Sequence, residues 1–314
     1  METIQLSYPF SLQDSPPPTV LAIGYFDGVH LGHRAVIERA KSLAERLGAA
    51  VGVMTFHPHP REVLGKGDIS HYLTPFQEKR EIFEHLGVDR TYVMRFDREF
   101  ASLSKEDFVE NVLMPLNVKG IAVGFNFSFA KGAEGTAKDL ADLGQGRFEV
   151  EITPPIYQDE IPLSSTRIRE ALSEGRVELA TDILGRPYAF QGKVAHGDHR
   201  GRKIGFPTAN LLLEEAYFPL DTGVYVVKAS WKENERYGVM NVGYRPTFHD
   251  ADVRPTMEVH LLDTNEDLYG LNMAVSVLHR LRSERKFPSI DALVDQIRKD
   301  EKEARSWLES KGLS

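Results

Sequence analysis

Two histidines three residues apart, His30 and His33 in the stretch GYFDGVHLGH (residues 24–33), are the side chains best suited to polyphosphate chemistry. If both lie in the first turn of a helix, their imidazoles share one face and can donate to the same phosphate group. Gly24, Gly28 and Gly32 permit backbone angles and close approaches that a side chain would block, and Phe26-Asp27-Gly28 forms a tight turn that aims the loop. The first free amides of such a helix, with the positive end of its dipole, would face a bound anion. H-x-G-H is a short pattern, and a plainer reading stands beside the chemical one: two histidines that cap and pack a helix start. Neither G-x-G-x-x-G nor G-x-x-x-x-G-K-[ST] occurs, so a dinucleotide fingerprint and a Walker P-loop do not explain the glycines.

Five further stretches carry candidates. His57-Pro58-His59-Pro60 follows an apolar run, and its alternating prolines predict a rigid loop rather than a helix; the His-Pro-His spacing suits packing or phosphate contact better than zinc. GFNFSFAKGAEG offers glycines and aromatics that could hold a planar ring, with Asn126 as its best polar candidate. In LSSTRIR, Ser164, Ser165 and Thr166 supply N-cap oxygens, while Arg167 and Arg169 place positive charge where a helix dipole favours an anion, which points to a phosphate or carboxylate partner. The stretch GKVAHGDHRGRKIGFPTANL (residues 192–211) combines Gly197, Gly201 and Gly205 with His199, Arg200, Arg202 and Lys203 into a basic loop suited to phosphate oxygens. It ends on Thr208 and Asn210, two apart at a strand start, whose oxygens could jointly hold a Mg²⁺ bound to ATP. Glu258 lies in the β-patterned run TMEVHLL; on an inner face it would need a function, and on an outer face it could be a plain surface residue.

These candidates fall between elements of two kinds. Thr19 to Gly24 (TVLAIG), Ala50 to Phe56, Arg90 to Phe96 and Lys119 to Gly124 read as buried strands, and amphipathic segments from Leu31, Thr74 and Ser104 alternate with them. Thr74 is the expected cap of the second helix, whose Phe76, Ile82, Phe83 and Leu86 would turn inward. That alternation argues for a parallel sheet covered on both faces. Around Leu184-Gly185-Arg186-Pro187 the pattern changes to short strands with turn signals, predicting an antiparallel barrel or sandwich, with Lys232–Tyr237 as a hairpin loop. A closing helix from Ser289 to about Leu308 would bury Ile290, Leu293, Val294, Ile297 and Trp307.

The 314 residues suffice for two domains with their own cores. There is no cysteine, which excludes disulfides, thiolate zinc sites and thiol nucleophiles. A net charge of −8 argues against a general nucleic-acid surface, and no leader or membrane-length apolar run is evident, so the expectation is a cytoplasmic protein with small-molecule partners, no nucleic acid and no membrane. Oligomeric state leaves no signal in the sequence.

With GYFDGVHLGH, TFHPHP, GFNFSFAKGAEG and LSSTRIR in the first half, and GKVAHGDHRGRKIGFPTAN, NVGYRPT, MEVHLLD, LYG and LRSERKF in the second, the chain resembles the bacterial bifunctional riboflavin kinase/FMN adenylyltransferase family, also called FAD synthetase. The resemblance runs nearly end to end, with the motifs in family order. It implies a Rossmann-like α/β nucleotidyltransferase domain over residues 1–185, then a six-stranded antiparallel β-barrel domain with a C-terminal helix over residues 186–314. It also implies two reactions: riboflavin and ATP give FMN and ADP in the rear domain, and FMN and ATP give FAD and pyrophosphate in the front one. By matching position, His30, His33 and Arg169 would be catalytic in adenylyl transfer, with Gly24, Phe26, Asp27, Gly28, His57, Asn126, Ser165 and Thr166 around the nucleotide and flavin. In the rear domain, Gly197, Arg202 and Gly205 would bind ATP, Thr208 and Asn210 would ligate Mg²⁺-ATP, and Glu258 would accept the proton of the riboflavin 5′-hydroxyl. The chain departs from the family at Ala130, where glycine is frequent, and at Ser128, where arginine is common. Two other readings are a nucleotidyltransferase that uses CTP on another phosphorylated alcohol, and a non-catalytic flavin- or RNA-binding regulator built on the same barrel.

Overall fold

The computed structural model describes residues 1–12, 14–65, 71–195, 204–244, 255–264 and 266–313. Gly197 and Arg202, with the rest of the basic loop up to Lys203 and the last three residues of NVGYRPT, lie outside the described residues. The chain divides into two compact units, Met1–Ser165 and Thr166–Ser314.

The first unit is built on strands β1 (Glu2–Leu6), β2 (Thr19–Ile23), β3 (Ala50–His57), β4 (Arg90–Arg95), β5 (Val118–Gly124) and, after two short strands β6 (Ser128–Phe129) and β7 (Gly135–Thr136), β8 (Glu149–Thr153). They form one six-stranded sheet in the order β1-β4-β3-β2-β5-β8, every pair parallel. Every residue of β2 is buried, as its unbroken apolar run predicts for a strand covered on both faces. Helix α1 (Leu31–Leu47) covers one face with Val36, Ile37, Ala40 and Leu43. The opposite face is covered by α4 (Lys105–Phe108), which continues as a π-helical turn over Val109–Leu113, and by α5 (Ala137–Gly144). The edge strands β1 and β8 were not anticipated, because ETIQL and EVEIT are half exposed and lack a continuous apolar run. A small hairpin pairs β6 with β7 inside the GFNFSFAKGAEG stretch, and another pairs β9 (Tyr157–Gln158) with β10 (Ile161–Pro162).

Two local expectations are corrected here. Pro60 does not exclude a helix: it occupies the first position of α2 (Pro60–Val63), where its missing N–H costs nothing, and His59 caps that helix by accepting from the Arg61 amide. Thr74 does not cap α3 (Phe76–His85): the helix starts one residue later than expected, Pro75 takes the cap position, and the Thr74 amide donates to Asp27.

In the second unit, α6 (Ser165–Ser173), whose first residue closes the first unit, and α7 (Val177–Leu184) precede the barrel. Strands β11 (Tyr188–Ala195), β12 (Ala209–Leu213), β13 (Gly223–Trp231), β14 (Asn234–Tyr244), β15 (Pro255–Leu261) and β16 (Asn272–Ser283) close antiparallel in the order β11-β12-β15-β14-β13-β16. Phe190, Leu211, Tyr225, Val227, Met240, Val242, Met257, Val259 and Val275 fill the interior. The β13–β14 turn is tighter than expected, because β14 already begins at Asn234.

The closing helix α8 (Ile290–Ser310) is capped by Ser289; its fully buried stripe is Gln296, Asp300, Ala304 and Leu308, while Leu293, Val294, Ile297 and Trp307 of the expected apolar side are half buried and Ile290 is exposed. The reason is a buried polar anchor: Arg282 at the end of β16 grips Asp300 through Nε and a terminal nitrogen (2.9 and 2.7 Å), and Gln296 donates to the same carboxylate at 2.6 Å. Arg285 donates in turn to Gln296.

Candidate active sites

In the sheet of the first unit, strand order runs one way through β3, β4 and β1 and the other way through β5 and β8, so the carboxyl end of β2 is the point of divergence where open α/β sheets bind ligands. The loop Gly24–His30 leaves from that point and α1 starts at once. His30 is the N-cap residue of α1: its Nδ1 accepts from the amides of Gly32 (3.1 Å) and His33 (3.4 Å). With Nδ1 used as an acceptor, a neutral His30 carries its proton on Nε2 and presents it as a donor. The His33 ring stacks on His30 with centroids 3.7 Å apart and planes at 22°. A Cβ on Gly32 would stand 2.9 Å from the His30 ring, so the close seat of the cap needs glycine there.

His33 has its Nδ1 fully buried and, among the described residues, without a hydrogen-bond partner. Burial, the neighbouring His30 and the cationic Lys79 hold its pKa well below the usual imidazole value, so the ring is neutral at physiological pH. The cap reading and the chemical reading are therefore compatible, because the cap fixes the tautomer that a donor to phosphate requires.

The loop is held in a demanding shape. Phe26 and Val29 take positive φ (57° and 40°), as does Gly28 (85°). Side chains in that region are strained and persist only where the surroundings over-determine them. The Tyr25 carbonyl accepts from Thr55 Oγ1 at 3.0 Å and from Lys79 Nζ at 2.9 Å. Asp27, only 3% exposed, accepts from the amides of Leu73 and Thr74 at 3.3 and 3.2 Å, and its carbonyl accepts from Ser165 Oγ at 2.8 Å. Phe26 is buried edge-on against both His33 and Phe83. What the side chains of Phe26 and Asp27 supply to the site is thus the shape of the loop.

Of the other candidates in this unit, His57 is the exposed last residue of β3, and His59 packs edge-on against Tyr25 with ring centroids 4.0 Å apart. Asn126 is exposed two residues beyond β5, the neighbour of β2 on the side opposite β3. Gly24 precedes the loop, and a Cβ there would meet the Phe26 ring at 3.0 Å. Thr166 and Arg169 belong to the second unit, where the Arg169 guanidinium lies 5.6 Å from the Phe218 ring centroid.

On the barrel, strand alternation resolves the face of Glu258. Its neighbours Met257 and Val259 are buried in the interior, so Glu258 points to the outer face and is half buried there. Asn210 on β12 stands directly opposite it on one side and Asn241 on β14 directly opposite on the other. Directly paired residues share a face, so Asn210, Glu258 and Asn241 form one polar row across three strands. Thr208 lies two residues before Asn210, and Gly205 has φ 90°. Ala195, opposite Asn210, lines a cavity of about 400 Å³ with Lys193, Leu212 and Tyr269. Asn241 escaped the sequence reading; its signal would have been a lone amide on the outward phase of YGVMNVGY, which only register ties to Glu258. Among the described residues no group of three or more His, Cys, Asp or Glu could hold a metal ion, and no helix is long and apolar enough to cross a membrane.

A histidine pair capping the helix after the divergence strand, and a carboxylate flanked by amides on a separate barrel, define a two-unit nucleotide-dependent transferase. The family described as FAD synthetase matches residues 12–167, and that described as riboflavin kinase matches residues 184–308. The chain is 43% identical over 307 residues to the bifunctional riboflavin kinase/FMN adenylyltransferase of Bacillus subtilis, covering 97% of each. It is 40% identical over 292 residues to the protein of the same name from Escherichia coli K12, covering 92% of each. A crystal structure described as a macrolide-efflux protein from Streptococcus pneumoniae superimposes with TM-score 0.90 at 34% identity, covering 98% of this chain and 100% of that one. This chain belongs to the bifunctional riboflavin kinase/FMN adenylyltransferase family and is an enzyme of flavin cofactor biosynthesis.

Proposed function

We propose that the two reactions are divided between the units: the barrel phosphorylates the 5′-hydroxyl of riboflavin with ATP, and the parallel-sheet unit adenylylates the resulting FMN. In the first reaction Glu258 accepts the hydroxyl proton as that oxygen attacks the γ-phosphorus and ADP leaves. Asn210, paired with Glu258, and Thr208 two residues before it carry neutral oxygen donors, a set that suits a hard divalent cation, and they would hold Mg²⁺ together with the ATP phosphates. Bound there, Mg²⁺ supplies neutralisation of phosphate charge. Gly205, with Gly197 and Arg202 of the basic loop, would track the same phosphates.

In the second reaction a phosphate oxygen of FMN attacks the α-phosphorus of ATP and pyrophosphate departs. The Nε2–H of His30, with His33 stacked beside it at the positive end of α1, donates to the oxygens on which charge develops. Ser165, Thr166 and Arg169 would grip the polyphosphate from the other side, Asn126 would orient the flavin or nucleotide, and His57 would border the pocket. Neither transfer needs a covalent nucleophile, in keeping with a chain that has no cysteine. On this reading the functional boundary lies near residues 185 and 186, and the protein works in the cytoplasm on small molecules.

The observation that carries the reading is the His30 cap, which fixes a donor tautomer at the helix start after the divergence strand. The test is to incubate the protein with riboflavin, ATP and Mg²⁺ and separate the products by chromatography. FMN followed by FAD is expected, with ADP and pyrophosphate as co-products. Riboflavin left unchanged, or FMN that accumulates without adenylylation, would overturn the assignment.

A further inference from the structure

Lys79 is a buried cation that the two reactions as assigned do not use. It occupies the inward stripe of α3 between Phe76 and Phe83, and it is 3% exposed. Its Nζ donates to the Tyr25 carbonyl at 2.9 Å and lies 4.3 Å from the centre of the Tyr25 ring. Tyr25 begins the turn that carries His30 and His33, and Thr55 holds the same carbonyl from β3. The titratable groups that face Lys79 are Asp27 from the loop and His33 from α1, with His30 stacked beyond. A methionine would fill a similar volume without burying a charge, so an ammonium at this place is a costly way to pack a helix. Burial pushes its pKa down to about 8, with Asp27 opposing the fall. A residue that lowers stability while contacting a strained loop is accounted for by what the loop does.

We infer that Lys79 is a positioning residue for adenylyl transfer, which through the Tyr25 carbonyl fixes the shape of loop 24–33 and sets a positive charge near His33. This rests on the assignment of adenylyl transfer to that loop. The charge is close enough to His33 to oppose protonation of that ring, and it favours negative charge developing nearby. Lys79 touches no reacting atom; it acts through Tyr25 and His33.

Two measurements test this on the full-length protein. In the wild type, FAD formation from supplied FMN should fall as pH rises through about 8, where the ammonium is lost, while riboflavin phosphorylation by the same chain should show no such limb. In Lys79→Met the limb should vanish, and kcat for adenylylation should drop on the order of 10²-fold with a smaller change in KM for ATP, the scale of a displaced catalytic geometry. Melting of the variant is read beside its rate, and the rate is measured at a temperature well below its melting midpoint. A wild-type profile flat through pH 8, or a Lys79→Met protein that keeps wild-type kcat, would overturn the inference. So would a Lys79→Met protein that melts earlier and regains its rate on cooling, because that is packing alone. Wild-type protein that makes no FAD at any pH would instead refute the assignment beneath it.

Discussion

Substituting His30 by alanine and by asparagine separates the helix cap from the phosphate donor. The imidazole Nδ1 satisfies the amides of Gly32 and His33, and loss of such a cap costs about 1 kcal/mol. Asparagine suits the extended backbone of this position (φ −70°, ψ 172°) and its side-chain oxygen can accept from the same amides. It cannot place a donor where Nε2–H stands. Removal of one preorganised donor to a developing oxyanion costs about 3 kcal/mol, or on the order of 10²- to 10³-fold in kcat. Alanine should therefore lower both stability and FAD formation, whereas asparagine should recover most of the stability and leave the rate down. Stability is read by chemical denaturation and the rate by chromatography of FAD formed from FMN, with riboflavin phosphorylation in the same tube as the internal control. If His30→Asn restores both quantities, His30 is only a cap and the donor assignment is refuted.

Three other outcomes follow from particular residues. Ala130 sits at φ 65°, ψ −175°, a conformation that is essentially reserved for glycine, so Ala130→Gly should raise stability by about 1 to 2 kcal/mol in denaturant melts, and an unchanged or lower midpoint would contradict the strain. Asp300 is 2% exposed and gripped by Arg282, so Asp300→Ala should destabilise the second unit by about 3 to 5 kcal/mol through the cation left unpaired, read as loss of riboflavin phosphorylation on warming; near-neutral behaviour would mean the anchor is dispensable. The folded His33 has its pKa depressed below the unfolded value of 6.5, so below that pH the unfolded chain takes up a proton that the folded chain excludes. Stability should thus fall as pH drops below 6.5, by up to about 1.4 kcal/mol per pH unit, and His33→Gln should fall less steeply; parallel curves would show that His33 is not excluded from protonation.

Much of this was legible because the decisive residues sit at element boundaries that the sequence marks. TVLAIG followed by an amphipathic run places GYFDGVHLGH at a strand-to-helix turn, and the change of pattern near Gly185 separates the parallel sheet from the barrel. What escaped depends on pairing across the chain. Asn241 matters only through its register with Glu258, and the outer face of Glu258 follows from its buried neighbours. Lys79 carried a weak signal, a lysine three residues after Phe76 and four before Phe83 on an inward stripe, which reads as a solvated residue until Tyr25 is placed over it. The polar members of the α8 stripe escaped because apolar spacing says nothing of the arginines Arg282 and Arg285 that draw Asp300 and Gln296 inward.

The division of labour between the units is tested most directly by Glu258→Gln in the full-length protein, given first riboflavin and then FMN, with ATP and Mg²⁺ in both. No FMN from riboflavin, together with FAD formed from supplied FMN at the wild-type rate, is the predicted result. Equal loss of both products, or normal FMN formation without the carboxylate, would contradict two separate sites.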